Sequence, residues 1–179
     1  MKKRTSGKKG EERCIALVCA GWDAELIRRN NDERYDFKVQ TSDGNTHTFE
    51  VKTNPQAITK YGGFSVEIGH KYNSYITSYL TKEPFLYEGV KVVSTGLMSS
   101  EADWYIFHDD KKQYYFISKK KLMEWAKDIW KNQHHRVVWG GFNTHTLQIQ
   151  IRLSELKTLG NYIDLRKPRG RKTKVGETV

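Results

Sequence analysis

The chain has few of the features that mark secreted or membrane proteins. It contains only two cysteines, Cys14 and Cys19, and their spacing fits neither a disulfide framework nor a zinc pattern. No apolar run approaches the roughly 18 residues that a membrane-spanning helix needs. The N-terminus is basic and polar, unlike a secretory signal. We therefore expect a cytoplasmic protein with free thiols and no membrane segment.

Positive charge is in excess, and it is concentrated at the two ends. The 179 residues include 31 Lys and Arg against 21 Asp and Glu, a net charge of +10. Five basic residues lie within 1–9 and six within 166–174; without these eleven, 20 basic and 21 acidic groups remain. Basic arms bind polyphosphates by releasing counterions. We predict flexible arms at 1–9 and 166–179 around one folded domain at 10–165. Their predicted nucleic-acid-binding residues are Lys2, Lys3, Arg4, Lys8, Lys9, Arg166, Lys167, Arg169, Arg171 and Lys172.

The hydrophobic pattern predicts a mixed α/β domain. Apolar residues at helical spacing predict a helix over residues 10–27, and a second helix, capped by Ser118, over 119–131. A third, short helix is predicted over 154–159. The segment between Lys71 and Lys91 has no clear pattern, and Pro84 argues against a long helix there. Strands are predicted at 35–39, 49–53, 64–68, 102–108, 114–117, 137–139 and 146–151.

Residues 35–53 alternate between apolar and polar side chains on both sides of a turn signal, which predicts a β-hairpin. A three-residue loop at 43–45 pairs Phe37 with Val51 and Asp36 with Lys52. In this register the apolar side chains share one face of the hairpin. Asp36, Glu50 and Lys52 share the other face, within side-chain reach of one another.

These three residue types suit phosphodiester chemistry. The carboxylates of Asp36 and Glu50 are ligands that Mg²⁺ prefers, and the backbone carbonyl of Val51 could add a third oxygen. The metal would lower the pKa of a bound water and neutralise the phosphate, while Lys52 would orient the water or stabilise the developing charge. The structural alternative is a set of cross-strand ion pairs on an exposed hairpin. Apolar residues on both sides favour an inner strand, and hence a charged cleft.

Residues 35–37 and 49–53 resemble the PD-(D/E)xK nuclease superfamily, also called restriction-endonuclease-like. That superfamily places an aspartate on one strand and a Glu-x-Lys on the next, and here Tyr35 replaces its proline. Small phage and prophage members continue with segments similar to residues 63–67, 96–105, 115–117 and 121–122. The resemblance therefore extends over roughly residues 10–130.

The resemblance implies a restriction-endonuclease-like fold, with a central mixed β-sheet flanked by helices, and a DNA endonuclease that uses Mg²⁺ or Mn²⁺. It also implies an acidic residue on the first helix that reaches the metal. Glu12 is the best match, with Glu11 and Glu25 as alternatives, and Glu67 is a further candidate ligand. DNA is the expected partner and a homodimer is possible. For a phage-encoded protein, the location would be the bacterial cytoplasm.

Three other interpretations remain open. A protein with this fold and no catalysis would bind nucleic acid without cutting it. A structural subunit of a phage particle would do neither. The histidines at 134, 135 and 145 lack the central arrangement of an HNH nuclease site, which disfavours that reading. The pattern leaves open whether a nuclease would be restriction-like or specific for a DNA structure.

Overall fold

The computed structural model describes residues 6–29, 34–72, 84–109, 112–140 and 145–165. Within these ranges, no helix is long and apolar enough to cross a membrane. The helices are α1 (Ser6–Trp22), α2 (Lys119–Asn132) and α3 (Leu153–Leu159). The strands are β1 (Ala24–Arg29), β2 (Phe37–Thr41), β3 (Thr46–Thr53), β4 (Gly63–Lys71), β5 (Phe85–Tyr87), β6 (Val90–Ser94), β7 (Trp104–His108), β8 (Gln113–Ser118), β9 (Val137–Gly140), β10 (Thr146–Arg152) and β11 (Asn161–Asp164).

The strands form two sheets, where the sequence predicted one central sheet. The first sheet has six strands in the order β1-β2-β3-β7-β8-β11, and only its β3–β7 pair is parallel. The second sheet has the order β5-β6-β4-β10-β9 and is antiparallel throughout. The predicted α/β class is therefore confirmed, while the prediction of a single mixed sheet was incomplete.

The first sheet is covered on both faces. On one face, α1 packs Cys14, Ile15 and Val18 into a cluster with Phe37 and Phe49. The other face shares a larger core with the second sheet, α2 and α3. Strand β3 is thus an inner strand, as predicted, and alternate side chains of β3 point toward α1 and toward the second sheet. Both cysteines are free thiols, and Cys14 is buried.

The first helix is shifted relative to its prediction over residues 10–27. It begins at Ser6, so that Lys8 and Lys9 lie in its first turns and not in a flexible arm. It ends at Trp22, where Asp23 takes a positive φ of 50°. The chain then forms β1, whose Leu26 is 39% exposed. The spacing of these last apolar residues fits a helix, but hydrogen bonding to β2 stabilises them as a strand.

The hairpin forms, but its predicted register is wrong by two residues. Phe37 pairs with Phe49, not with Val51. The loop spans residues 42–44, because Thr41 N donates to Asn45 O at 2.9 Å. Gly44 has a φ of 87°, and three-residue loops place such a left-handed residue last. A shift of two keeps every side chain on its predicted face.

The remaining predicted elements are present, with small differences in their ends. Ser118 caps α2, as predicted, because its Oγ accepts a hydrogen bond from Lys121 N at 3.4 Å. Strands β5, β6 and β11 were not predicted. Between β5 and β6, Glu88 and Gly89 both have positive φ, at 49° and 75°, which is typical of a two-residue hairpin turn. Residues 73–83, also part of the unassigned segment, lie outside the described ranges.

Candidate functional site

The corrected register brings Asp36, Glu50 and Lys52 together at one end of the first sheet. Asp36 immediately precedes β2, and its amide donates to Phe49 O at 2.8 Å. Its carboxylate accepts from Val51 N at 2.6 Å. Asp36 therefore lies beside the 49–51 segment of β3, and not opposite Lys52 as predicted. We call Asp36, Glu50 and Lys52 the cleft cluster.

Glu50 and Lys52 form an ion pair within β3. Lys52 Nζ lies 2.6 Å from Glu50 Oε1, and their side chains are 35% and 16% exposed, respectively. Alternate residues of a strand share a face, so both point away from α1 and toward the second sheet. These charges are therefore not the surface ion pairs of an exposed hairpin. Lys52 lines a cleft beside them, and Glu50 lies next to it through this ion pair.

The cleft cluster holds two carboxylates against one lysine, and their charges shift each other's pKa values. Burial raises the pKa of Asp36 from 3.8 to about 6, and the negative charge of Glu50 adds to this effect. Hydrogen bonding from Val51 N and the charge of Lys52 lower it, but by less. Burial alone would lower the pKa of Lys52, yet the carboxylates, Glu50 first, hold it above its ordinary value. Lys52 is therefore protonated, while the carboxylates repel one another.

The cleft has a volume of about 330 Å³, and the N-terminal part of α1 forms one of its walls. Gly7 and Glu11 line it together with Asp36 and Lys52. Glu11 also raises the pKa of Asp36 through its charge. The first-helix carboxylate at the site is thus Glu11, an alternative in the sequence prediction.

Glu12, the first choice from sequence, points elsewhere. Its carboxylate lies 3.8 Å from Arg29 Nη1 on β1. Glu25 lies on β1, an exposed edge strand, and not on the first helix. These placements correct the sequence prediction for the first-helix ligand, because the face that a helix presents to a sheet depends on where the two make contact.

Gly10 fixes that contact. A Cβ at this position would come 2.5 Å from Thr53 Oγ1 and 2.6 Å from His108 Nε2. Those two atoms are themselves 2.7 Å apart, and His108 is fully buried. Only a glycine lets α1 approach β3 and β7 so closely. Sequence reasoning missed His108, since it is 55 residues from Thr53 and the glycine was the only signal.

Glu67, the other candidate ligand, lies on β4 in the second sheet. Its Oε1 accepts a hydrogen bond from Thr95 Oγ1 at 2.6 Å. Its charge contributes to the raised pKa of Lys52. Glu67 is thus close enough to shape the electric field of the cleft, while its carboxylate is held by Thr95.

The donor atoms at the cleft fit a hard divalent cation. Within the described ranges, no group of three or more His, Cys, Asp or Glu side chains is arranged to hold a metal. Mg²⁺ commonly takes one or two carboxylates and completes its shell with other oxygens. Asp36 and Glu50 offer two carboxylates, and a cation between them would relieve the repulsion that raises the pKa of Asp36.

No protein-family model, curated protein or solved structure matches this chain. The functional assignment therefore depends on the geometry of the site.

Of the predicted nucleic-acid-binding residues, the structure describes only Lys8 and Lys9. Both are exposed near the start of α1. Gly7 lines the cleft from the same turn, so this part of α1 borders it. The other predicted basic residues, within 1–5 and 166–179, lie outside the described ranges.

Proposed function

We propose that the chain is a divalent-cation-dependent DNA endonuclease with a restriction-endonuclease-like core. The observation that carries this proposal is the cleft cluster itself. Asp36 and the protonated Lys52 line a cleft that is open to solvent, and Glu50 forms an ion pair with Lys52. The resemblance of residues 35–37 and 49–53 to the PD-(D/E)xK superfamily supports the same assignment.

The carboxylates of this site would hold Mg²⁺, or Mn²⁺ in its place. Asp36 and Glu50 are the proposed ligands, with the backbone carbonyl of Val51 as a further oxygen. The bound cation would activate a water and neutralise charge on the phosphate. Val51 N fixes Asp36 through the 2.6 Å hydrogen bond. Glu11 and Glu67 are the candidates for an additional carboxylate.

Lys52 acts in this proposal as a hydrogen-bond donor and not as a base. Its raised pKa keeps the ammonium group charged. A positive donor stabilises negative charge on phosphate oxygens, or orients the attacking water, in a site that is already partly removed from solvent. This role needs only that Lys52 stay in the cleft, where Glu50 holds it in the structure.

DNA would be attracted mainly by the basic residues at the two ends of the chain, which we propose to hold the phosphate backbone. Lys8 and Lys9 stand beside the cleft and would contact the strand nearest to it. A homodimer would supply two such sites for the two strands of a duplex.

Cleavage of supercoiled plasmid by the full chain with Mg²⁺ tests the proposal. We expect the wild type to cut, and Asp36→Asn and Lys52→Ala to cut at least about 100-fold more slowly, because each loses a group that stabilises the transition state. Glu12→Gln is the matched control, since Glu12 faces Arg29. It should retain the wild-type rate.

Supercoiled, single-stranded and four-way-junction DNA should all be offered as substrates. A wild-type protein that cuts none of them would contradict the nuclease proposal. If it still retains DNA in a binding assay, the non-catalytic interpretation replaces it.

A further inference from the structure

Tyr105 lies in β7, beside the cleft cluster. The parallel register of β3 with β7 pairs it with Glu50, so the two side chains lie side by side on the face toward the second sheet. Tyr105 is 1% exposed. Among the described residues, its hydroxyl is the buried side-chain polar atom that has no hydrogen-bond partner.

The hydroxyl of Ser100 lowers the pKa of Tyr105 and already makes two other hydrogen bonds. Ser100 Oγ donates to Arg34 O at 3.1 Å. It also accepts from Ala102 N at 3.1 Å. Ser100 lowers the pKa of Tyr105 somewhat, but its hydroxyl hydrogen is committed to Arg34. Ser100 Oγ keeps one acceptor lone pair, but it does not lie in hydrogen-bonding geometry to the Tyr105 hydroxyl.

Burial and nearby negative charge both act on this hydroxyl. Burial raises the pKa of Tyr105 well above its usual range, and three carboxylates raise it further. The phenol therefore keeps its proton, and among the described residues no acceptor lies in hydrogen-bonding geometry to it. The three carboxylates are those of Glu50, Asp36 and Glu67.

Two other buried tyrosines differ in this respect. Tyr115 donates to Gln113 Oε1 at 3.2 Å, and Tyr87 donates to Val137 O at 2.9 Å. A phenylalanine at position 105 would avoid the cost of burying an unpaired hydroxyl. The tyrosine is thus unfavourable for stability in the state described, which suggests that its partner arrives in another state.

Glu50 is the acceptor that the strand register places beside Tyr105. In the structure its Oε1 accepts from Lys52 on the same strand. Its Oε2 accepts no hydrogen bond from the described part of the chain. Because Glu50 and Tyr105 are neighbours across β3 and β7, a carboxylate released by Lys52 is free to turn toward the tyrosine hydroxyl.

We propose that Tyr105 is a positioning residue that donates a hydrogen bond to Glu50 when Glu50 binds a divalent cation. This inference rests on the proposed function, because it concerns the orientation of Glu50, one of the proposed cation ligands. Groups that orient a metal ligand commonly change metal affinity severalfold or more. Tyr105 would raise cation affinity without touching DNA.

Titration calorimetry of the full chain with Mn²⁺, without DNA, tests this inference. Tyr105→Phe should bind Mn²⁺ about tenfold more weakly than the wild type. Its cation-free form should unfold at the same or a higher temperature, because the change removes only an unpaired hydroxyl. Tyr115→Phe, the matched control on β8, should keep the wild-type affinity.

The outcomes separate this inference from the proposed function. A wild type that binds Mn²⁺ and cuts DNA, with Tyr105→Phe of equal affinity, overturns the role of Tyr105 alone. A Tyr105→Phe protein that is less stable without cation, and equal in affinity, assigns the residue to packing and also overturns it. A wild type that neither binds Mn²⁺ nor cuts DNA overturns both.

Discussion

Two clusters of buried charge in this molecule are built in opposite ways. The cleft cluster, formed by Asp36, Glu50 and Lys52, has more negative charge than its lysine balances. The second cluster lies between α2, α3 and β10 and is centred on Arg136 and Glu155, whose side chains are 6% and 24% exposed. We call it the Arg136 cluster.

Every charged group of the Arg136 cluster is well supplied with partners. Arg136 donates to both oxygens of Glu155, at 2.7 and 2.6 Å. It also donates to Gln150 O at 2.6 Å and to Gln133 Oε1 at 3.1 Å. Trp125 Nε1 donates to Glu155 at 3.2 Å. Burial would raise the pKa of Glu155, but these hydrogen bonds, Arg136 first, hold it below its usual value.

The difference distinguishes a structural cluster from a candidate functional one. Paired charges with satisfied hydrogen bonds hold α2 and α3 against the second sheet, and removing one partner is costly. The cleft cluster keeps carboxylates close together although this raises the pKa of Asp36. Groups with perturbed pKa values in a cleft are candidates for binding or catalysis. We therefore expect that changing a carboxylate to an amide shifts the free energy of unfolding in opposite directions in the two clusters.

The largest difference should appear when each carboxylate is changed to an amide. Glu155→Gln should lower the free energy of unfolding by about 2 kcal/mol, because hydrogen bonds to a charged group are lost. Asp36→Asn should raise it at pH 7 by on the order of 1 kcal/mol, because repulsion and burial of a charge are removed. Urea denaturation without divalent cations measures both.

If Glu155→Gln and Asp36→Asn changed the free energy of unfolding in the same direction, the proposed difference between the two clusters would be wrong. The wild type must be measured at the same ionic strength, since salt screens partly exposed charges.

The pH dependence of stability should also differ between the clusters. The pKa of Asp36 is about 6 in the folded chain, above its ordinary 3.8. Folded protein therefore binds more protons between about pH 4 and 6, and stability should fall across this window by on the order of 1–3 kcal/mol as pH rises. The pKa of Glu155 is lowered from 4.5, so its contribution is present above that value and is lost as pH falls below it.

Denaturation curves from pH 3 to 7 separate the two effects. Asp36→Asn should remove the decline between pH 4 and 6, and Glu155→Gln should weaken the loss at lower pH. An unchanged decline in Asp36→Asn would mean that another group titrates there.

The smallest effect is expected for Gln133→Ala. This change removes one hydrogen bond, at 3.1 Å, from Arg136 and leaves the contacts with Glu155 intact. The free energy of unfolding should fall by about 1 kcal/mol, less than for Glu155→Gln. An equal or larger loss would show that Gln133, and not Glu155, is the main support of the arginine.

Local patterns predicted much of the fold. Alternation identified β2 and β3, and runs of apolar and aromatic residues identified β7 and β8. Strands β4, β9 and β10 were also predicted, and helical spacing with the Ser118 cap identified α2. The hairpin faces were also correct, because they depend only on alternation. The missed strands are short, and β11, only four residues long, pairs with β8 at the edge of the first sheet.

Two of the errors lie where contacts between distant parts of the chain determine the structure. The apolar residues after Trp22 fit a helix by spacing, but pairing with β2 makes them a strand. The choice of Glu11 over Glu12 follows from the close approach at Gly10, which involves β3 and β7. The hairpin register was a local error, because the left-handed Gly44 has to close the loop.

The sequence by itself indicated Asp36, Glu50 and Lys52 as the candidate residues, and it placed Glu50 and Lys52 on one face of an inner hairpin strand. Periodicity and residue chemistry act over a few positions, so they can be read along the chain. The tertiary structure decided that this face looks onto a second sheet, that Glu11 is the helix residue at the cleft, and that Tyr105 stands beside Glu50. Those facts depend on the pairing of β3 with β7, more than fifty residues apart, and on the burial that this pairing produces.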